Sequence, residues 1–294
     1  MLALRDGSAS VLVAPEHGGA IVEWLDGTVP VLRRPSPDAL RSGDVGGMAC
    51  FPLLPFCNRI AFGRFGWEGH SHSLGLNFGA HPHAIHGLGW QRSWTVLRAD
   101  AANAELGLIH TATGDDSRAW PFAFEARLGF RLSDRRLTVD LAATNRHDAA
   151  APMGLGLHPY FPRLPGQSLR FNAGGVWVND VTMLPIRHTA IPPDWDHADG
   201  QAIGAARLDN CFTGWDGVAS LSAPAWCVSI EASGIFRAFQ VFTPDGADFC
   251  CAEPVSHVPN AINRPQLGAG QAMHVLAPGE SLHGSVTLVF SASA

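Results

Sequence analysis

Leu128-Gly129-Phe130-Arg131-Leu132-Ser133-Asp134-Arg135-Arg136-Leu137-Thr138-Val139-Asp140-Leu141-Ala142-Ala143 decides the fold class. Leu128, Phe130 and Leu132, then Leu137, Val139, Leu141 and Ala143, alternate with other residues on either side of the polar Ser133-Asp134-Arg135-Arg136. A period of two turns alternate side chains to one face, so the stretch predicts a β-hairpin with one buried face. Related runs recur at Ser10–Ala14, Gly18–Trp24, Ser168–Phe171, Trp226–Ile230, Phe236–Phe242 and Val286–Phe290. Thirty-two glycines and 21 prolines punctuate them, while sustained helical periodicity is scarce. One or two helical turns are expected at Pro37–Arg41, capped by Ser36 and stopped by Ser42-Gly43-Asp44, as a decoration. No linker, repeat or low-complexity tract interrupts the pattern, and the loop-like Pro185–Gly200 is too short to separate domains. The expectation is all-β: a large antiparallel sandwich, one domain over residues 1–294.

A chain of 294 residues with 46% hydrophobic and 16% charged residues has material for a sizeable core. The net charge of −6 comes without charged blocks, which points away from nucleic acid and from a polybasic membrane patch. Charge and glycine follow at Arg5-Asp6-Gly7, and no apolar run has membrane-spanning length, so a soluble, unprocessed protein is expected. Six scattered cysteines without CxxC pairs fit reduced thiols in a cytoplasm. The expected partner is a small uncharged molecule, bound by a monomer or homodimer.

Five stretches could carry chemistry. Gly154-Leu155-Gly156-Leu157-His158-Pro159-Tyr160-Phe161-Pro162 sets His158 at the end of an apolar strand before a rigid Pro/aromatic segment. It reads as a proton donor or acceptor, or as a core histidine satisfied by a backbone carbonyl. Asn58-Arg59-Ile60 puts a guanidinium where a buried run meets a turn, suited to hydroxyls or simply to the surface. His81-Pro82-His83-Ala84-Ile85-His86-Gly87, with Trp90 and Trp94, suits a polar cleft with flat apolar walls; the alternatives are a structural loop and a metal site on His81, His83 and His86. Asp209, before an aromatic strand, could accept hydrogen bonds from a diol or cap a turn. Glu253, ending Cys250-Cys251-Ala252, would have its carboxyl pKa raised by burial, whereas an exposed glutamate would not.

Taken together, NRI with GR, HG followed by W, GLGLHPYF, LDxxF and AEPxS…N, in that order from about Gly46 to Asn263, resemble the aldose 1-epimerase (mutarotase) family. The resemblance implies the galactose mutarotase-like supersandwich with an open sugar cleft, and interconversion of the α and β anomers of an aldose. By position, Glu253 looks like the general base, His158 like the general acid, and Arg59, His86 and Asp209 like sugar-binding residues, with Asn58 beside them. Opening a cyclic hemiacetal needs only these two proton transfers, so neither metal nor other cofactor is implied. Galactose-acting members carry a glutamine in an insertion before the base strand. Thr243-Pro244-Asp245-Gly246 offers no clear equivalent. Arg64, Arg92, His81 and His83 leave room for a 6-phosphate or sulfonate sugar, and a non-catalytic sugar-binding sandwich is a further alternative. A carboxylate near His158 would raise the imidazole pKa above its usual 6.5.

Overall fold

The computed structural model describes residues 1–292, built around two large antiparallel sheets. The hairpin forms as the alternation requires. Phe124–Ser133 pairs with Arg136–Asn145, with Ser133 opposite Arg136 and a two-residue loop between them. Asp134 takes the left-handed turn conformation, and its N–H donates to Asp6 Oδ2 at 2.7 Å. Leu128, Phe130, Leu132, Leu137, Val139 and Leu141 are all buried.

These two strands lie within a nine-stranded sheet ordered Thr95–Ala99, Asn103–His110, Phe124–Ser133, Arg136–Asn145, Ser281–Ser291, Trp226–Ala232, Val218–Ala223, Ser168–Phe171 and Gln201–Ala202. The second sheet has eleven strands. It runs Leu2–Asp6, Ala9–Ala14, Ala20–Asp26, Cys50–Leu53, Gly156–Pro162, Phe249–Val255, Ala238–Phe242, Asp209–Thr213, Gly175–Asn179 and Pro185–Thr189, with Val29–Pro30 paired to Ala20–Asp26. Between the sheets lies an apolar cluster that includes Trp24, Trp120, Phe124, Phe161, Phe212, Phe239 and Phe290. Burying each such ring contributes about 1.5–3 kcal/mol.

The eleven-stranded sheet is buried on its other face too. A second cluster there holds Phe51, Trp90, Tyr160, Cys211, Cys251 and Val255. The period of two sorts the central strands: Leu157, Phe161, Cys250, Ala252, Phe239 and Val241 join the inner core, and the residues between them face outward. Double-sided burial explains why Gly156–Pro162 and Phe249–Val255 read as apolar runs interrupted only by His158 and Glu253.

Two expectations change. Pro185–Gly200 is not all loop, since Pro185–Thr189 is an edge strand paired with Gly175–Asn179. Helix Pro37–Ser42 is capped by Ser36 Oγ and stopped by left-handed Gly43 as expected, but it is not decoration: it leads into Asp44–Gly47, which contributes to a cleft rim. Among the described residues no helix is long and apolar enough to cross a membrane, and all six cysteines are unpaired.

Candidate active site

Register places the outward-facing residues of the central strands in one row. Phe51 lies opposite His158, and Gln240 opposite both Glu253 and Cys211. Between the pairs Gly156–Val255 and Tyr160–Cys251, the same register sets His158 against Glu253. Their side chains meet: His158 Nε2 is 3.5 Å from Glu253 Oε1. The two residues are 6% and 2% exposed, so neither charge is solvated in the empty cleft. His158 Nδ1 and Glu253 Oε2 have no hydrogen-bond partner, which removes the reading of His158 as a carbonyl-satisfied core histidine. That description belongs to His257, whose Nδ1 bonds Val258 O at 2.8 Å.

The pair lies at the floor of a cleft of about 340 Å³ whose apolar walls include Phe51, Phe78, Trp90, Tyr160 and Phe242, a size suited to a small ligand. A larger depression of about 490 Å³ on the nine-stranded sheet has its charges already paired, Arg98 and Arg127 with Glu105 and Arg131 with Asp140. It holds no comparable buried pair.

Asn58, Arg59, His86 and Asp209 all line the same cleft. Arg59 Nη2 binds Asp209 Oδ2 at 2.9 Å, while Asp209 Oδ1 accepts from Gln240 Nε2 at 2.8 Å. Asn58 Oδ1 accepts from Arg59 Nη1 and from the Arg59 N–H. Its carbonyl oxygen thus orients the guanidinium rather than facing a ligand. His86 Nδ1 accepts from the Asn58 N–H at 3.2 Å, which leaves Nε2 as the protonated nitrogen of the neutral ring. The bend at His86-Gly87 depends on glycine. Gly87 has φ of 70°, and a Cβ there would stand 2.1 Å from Leu54 O.

The last motif fastens these loops together. His257 Nε2 accepts from the Cys57 N–H at 3.0 Å, Asn260 Oδ1 from the Ala61 N–H at 3.0 Å, and the Asn260 N–H donates to Arg59 O at 2.7 Å. Trp90 joins the cleft wall, but Trp94 packs in the inner core with its indole N–H on Gly89 O.

The three-histidine metal reading does not assemble. His81 Nε2 accepts from Arg59 Nε, His83 Nδ1 accepts from the Phe62 N–H while its Nε2 faces Thr182 O, and His86 is held as described. Among the described residues the one close set of metal-donor types is His158, Cys251 and Glu253, within 4.8 Å of one another. Burial keeps the Cys251 thiol protonated by pushing its pKa well up, and the other two are the residues in 3.5 Å contact.

Burial dominates the electrostatics. Desolvation pushes the Glu253 carboxyl well above its usual range, with the nearby Asp209 adding to the rise and Arg59 opposing it. Desolvation likewise draws His158 down to about 3, helped by the Arg33 charge. This reverses the sequence expectation for His158, because loss of water outweighs the neighbouring carboxyl. His86 is also driven well below its usual value by burial. Both shifts favour the neutral forms of the pair, with the proton on the Glu253 carboxyl rather than on the His158 imidazole.

Comparison with known proteins bears on what such a site belongs to. The family model for aldose 1-epimerase matches residues 1–288. The chain belongs to the aldose 1-epimerase family. It is 30% identical to the Escherichia coli K12 protein YphB over 97% of each chain, and 27% identical to YihR of the same organism over 72% of this chain and 70% of that one. Among solved structures, a galactose mutarotase-like protein from Clostridium acetobutylicum superposes with a TM-score of 0.88, covering 99% of this chain and 95% of that one at 21% identity. A galactose 1-epimerase from Lactobacillus acidophilus gives 0.79, covering 99% and 93% at 19% identity, and shares the fold.

Within this aldose 1-epimerase fold, the sequence reading passed over Gln240 and Asp44. Gln240 is the cross-strand partner of Glu253, and its Oε1 is buried without a partner. Its position in the alternating Ala238–Phe242 strand was the available signal. Asp44, in the rim loop, had none.

Proposed function

We propose that the protein is a mutarotase that interconverts the anomers of an uncharged aldose. The observation that carries this reading is the buried His158 and Glu253 pair, 3.5 Å apart at the base of a sugar-sized, aromatic-walled cleft. Ring opening of a hemiacetal removes the proton from the anomeric hydroxyl and delivers one to the ring oxygen. Both oxygens are bonded to the same carbon, so two proton-handling atoms this close can serve both.

In the proposed cycle a sugar hydroxyl donates to the free Glu253 Oε2, which favours the carboxylate and moves the shared proton to His158. Glu253 then takes the anomeric proton while His158 protonates the ring oxygen. The C1–O5 bond breaks and a C1 carbonyl forms. Rotation about C1–C2 presents the other carbonyl face, and the reverse transfers close the ring and restore the pair. Protons and electrons balance without a redox step. His86 Nε2–H is available to donate to a hydroxyl, Arg59 and Asp209 form a rigid donor and acceptor edge, and the Phe51, Trp90 and Phe242 rings supply flat walls.

An uncharged sugar fits better than a phosphate or sulfonate. Arg59 is the permanent cation among the described lining residues, and it is bound to Asp209, while Asp44, whose Oδ1 accepts from the Gly46 N–H, adds a carboxylate at the rim. Arg92 pairs with Asp116 and lines a different depression; His83 is fully buried, and Arg64 does not line the cleft. A purely sugar-binding sandwich would have no need of two buried, partnerless titratable atoms. The test is anomer interconversion followed by NMR over neutral and acidic aldoses. Enzyme-dependent acceleration confined to neutral sugars is expected, and no acceleration of any aldose would refute the reading.

A further inference from the structure

We propose that Arg33 is a positioning residue: a guanidinium fixed behind Tyr160 that holds the ring stack around His158 and keeps the imidazole uncharged in the free enzyme. The inference rests on the reading of His158 and Glu253 as the proton-transfer pair. It adds a residue outside the cleft lining that acts through another side chain.

Four rings and a cation form one contiguous cluster around the imidazole. The Arg33 Cζ lies 3.7 Å from the Tyr160 ring centroid. Tyr160 stacks on His158 at 4.6 Å and 16°, His158 on Phe51 at 4.7 Å and 33°, and Phe51 on Trp90 at 5.3 Å and 25°. A guanidinium and an imidazole this close to one phenol ring must occupy its opposite faces. Tyr160 and Phe51 are themselves 6.0 Å apart between centroids, so the two rings wedge His158 from adjacent sides and restrict the direction in which Nε2 faces Glu253.

The cation is held by neutral groups. Arg33 Nη2 donates to Gly46 O at 2.9 Å and Met48 O at 2.6 Å, its backbone N–H donates to Tyr160 O at 2.8 Å, and Phe249 adds a second ring at 4.7 Å. Arg33 Nε is buried without a partner. Adjacent Arg34 is exposed and paired with Glu23 at 3.0 Å, whereas Arg33 makes no ion pair among the described residues. A guanidinium stays charged even in such a setting, and the carboxylates of Asp248 and Asp44 oppose its field in part without forming an ion pair with it.

Among the groups facing His158 from each packed element, Arg33 is the cation without an ion-pair partner, its field offset only in part by Asp248 and Asp44. The Phe249–Val255 strand brings Glu253 and Cys251, both kept neutral by burial. The Cys50–Leu53 strand brings the Phe51 ring and the buried thiol of Cys50, raised likewise. The bend before Gly87 brings His86, neutral and 5.1 Å away between ring centroids. Tyr160, on the same strand, is pushed well up by burial, and Arg59 is neutralised by Asp209. Arg33 also ties the Asp44–Gly47 rim to Tyr160, so one residue links the cleft edge to the ring that stacks on His158.

The experiment compares wild type, R33Q and R33K. Nitrogen-15 NMR of ligand-free protein follows His158 protonation, and anomer interconversion follows the acid limb of the rate profile. A unit charge about 8 Å away at an effective dielectric near 20 supports a shift on the order of one pH unit. R33Q should therefore raise the His158 midpoint and the acid limb by about that amount, and R33K should return both toward wild type. A role confined to packing would change stability or KM and leave both midpoints in place; that result in folded R33Q would overturn the proposal. Should R33Q fail to fold, R33M takes its place in the same comparison, and an imidazole already protonated at pH 6 in ligand-free wild type would overturn the proposal without any variant. The NMR midpoint tests Arg33 even if no aldose is turned over, so loss of the mutarotase reading would be recognised separately.

Discussion

His158→Asn offers a test of the site's electrostatics that does not depend on activity. In the unfolded chain a histidine titrates near 6.5, whereas in the folded protein burial draws His158 down to about 3. Between these values the unfolded state binds a proton that the folded state does not, so stability falls as pH falls, by about 1.4 kcal/mol per pH unit. The full window would cost about 5 kcal/mol, and from pH 7.5 to pH 4 the cost is about 3 kcal/mol. His158→Asn lacks this term and retains the other titrating groups. Urea unfolding at pH 7.5, 6, 5 and 4 should show wild type losing about 3 kcal/mol more than the variant across that range. If the Glu253 carboxyl instead raised the imidazole pKa above 6.5, as the sequence alone suggested, the difference would have the opposite sign. Parallel stability profiles, or wild type gaining on the variant toward low pH, would refute the reasoning.

Glu253→Gln should reduce anomer interconversion by at least about a hundredfold, with sugar binding retained in calorimetry; near-normal turnover would exclude the base role. The wild-type rate should follow a broad bell: its acid limb falls below the usual carboxyl value because His158 resists a second proton, and its alkaline limb lies well above it because Glu253 holds the shared one. A stopped-flow pH series checks both limbs, which belong to the coupled pair. Asp209→Asn frees Arg59 and weakens the Gln240 contact, so KM should rise about tenfold or more with a smaller change in kcat; an unaltered KM would remove this edge from binding. Gly87→Ala must relieve a 2.1 Å approach to Leu54 O at positive φ. A loss of more than about 1 kcal/mol in urea unfolding is expected, together with lower turnover as His86 shifts.

The alternation in Leu128–Ala143 was enough to establish a hairpin with one buried face, because a period of two is a property of the extended backbone itself. The strand runs and turn residues likewise determined the all-β class, and the ordered motifs pointed to the family. Tertiary structure decided the site. His158 and Glu253 are 95 positions apart in sequence, and only the strand order that sets Gly156–Pro162 beside Phe249–Val255 makes them neighbours. Gln240 was present in an alternating strand, yet its place opposite Glu253 depended on register. Arg33 and Asp44 carried no local signal at all, since a guanidinium stacked on Tyr160 and a rim carboxylate arise from loops crossing distant strands. The direction of the His158 shift also lay beyond sequence, because it depends on how completely water is excluded, and that is set by the Tyr160 and Phe51 rings packed against the imidazole.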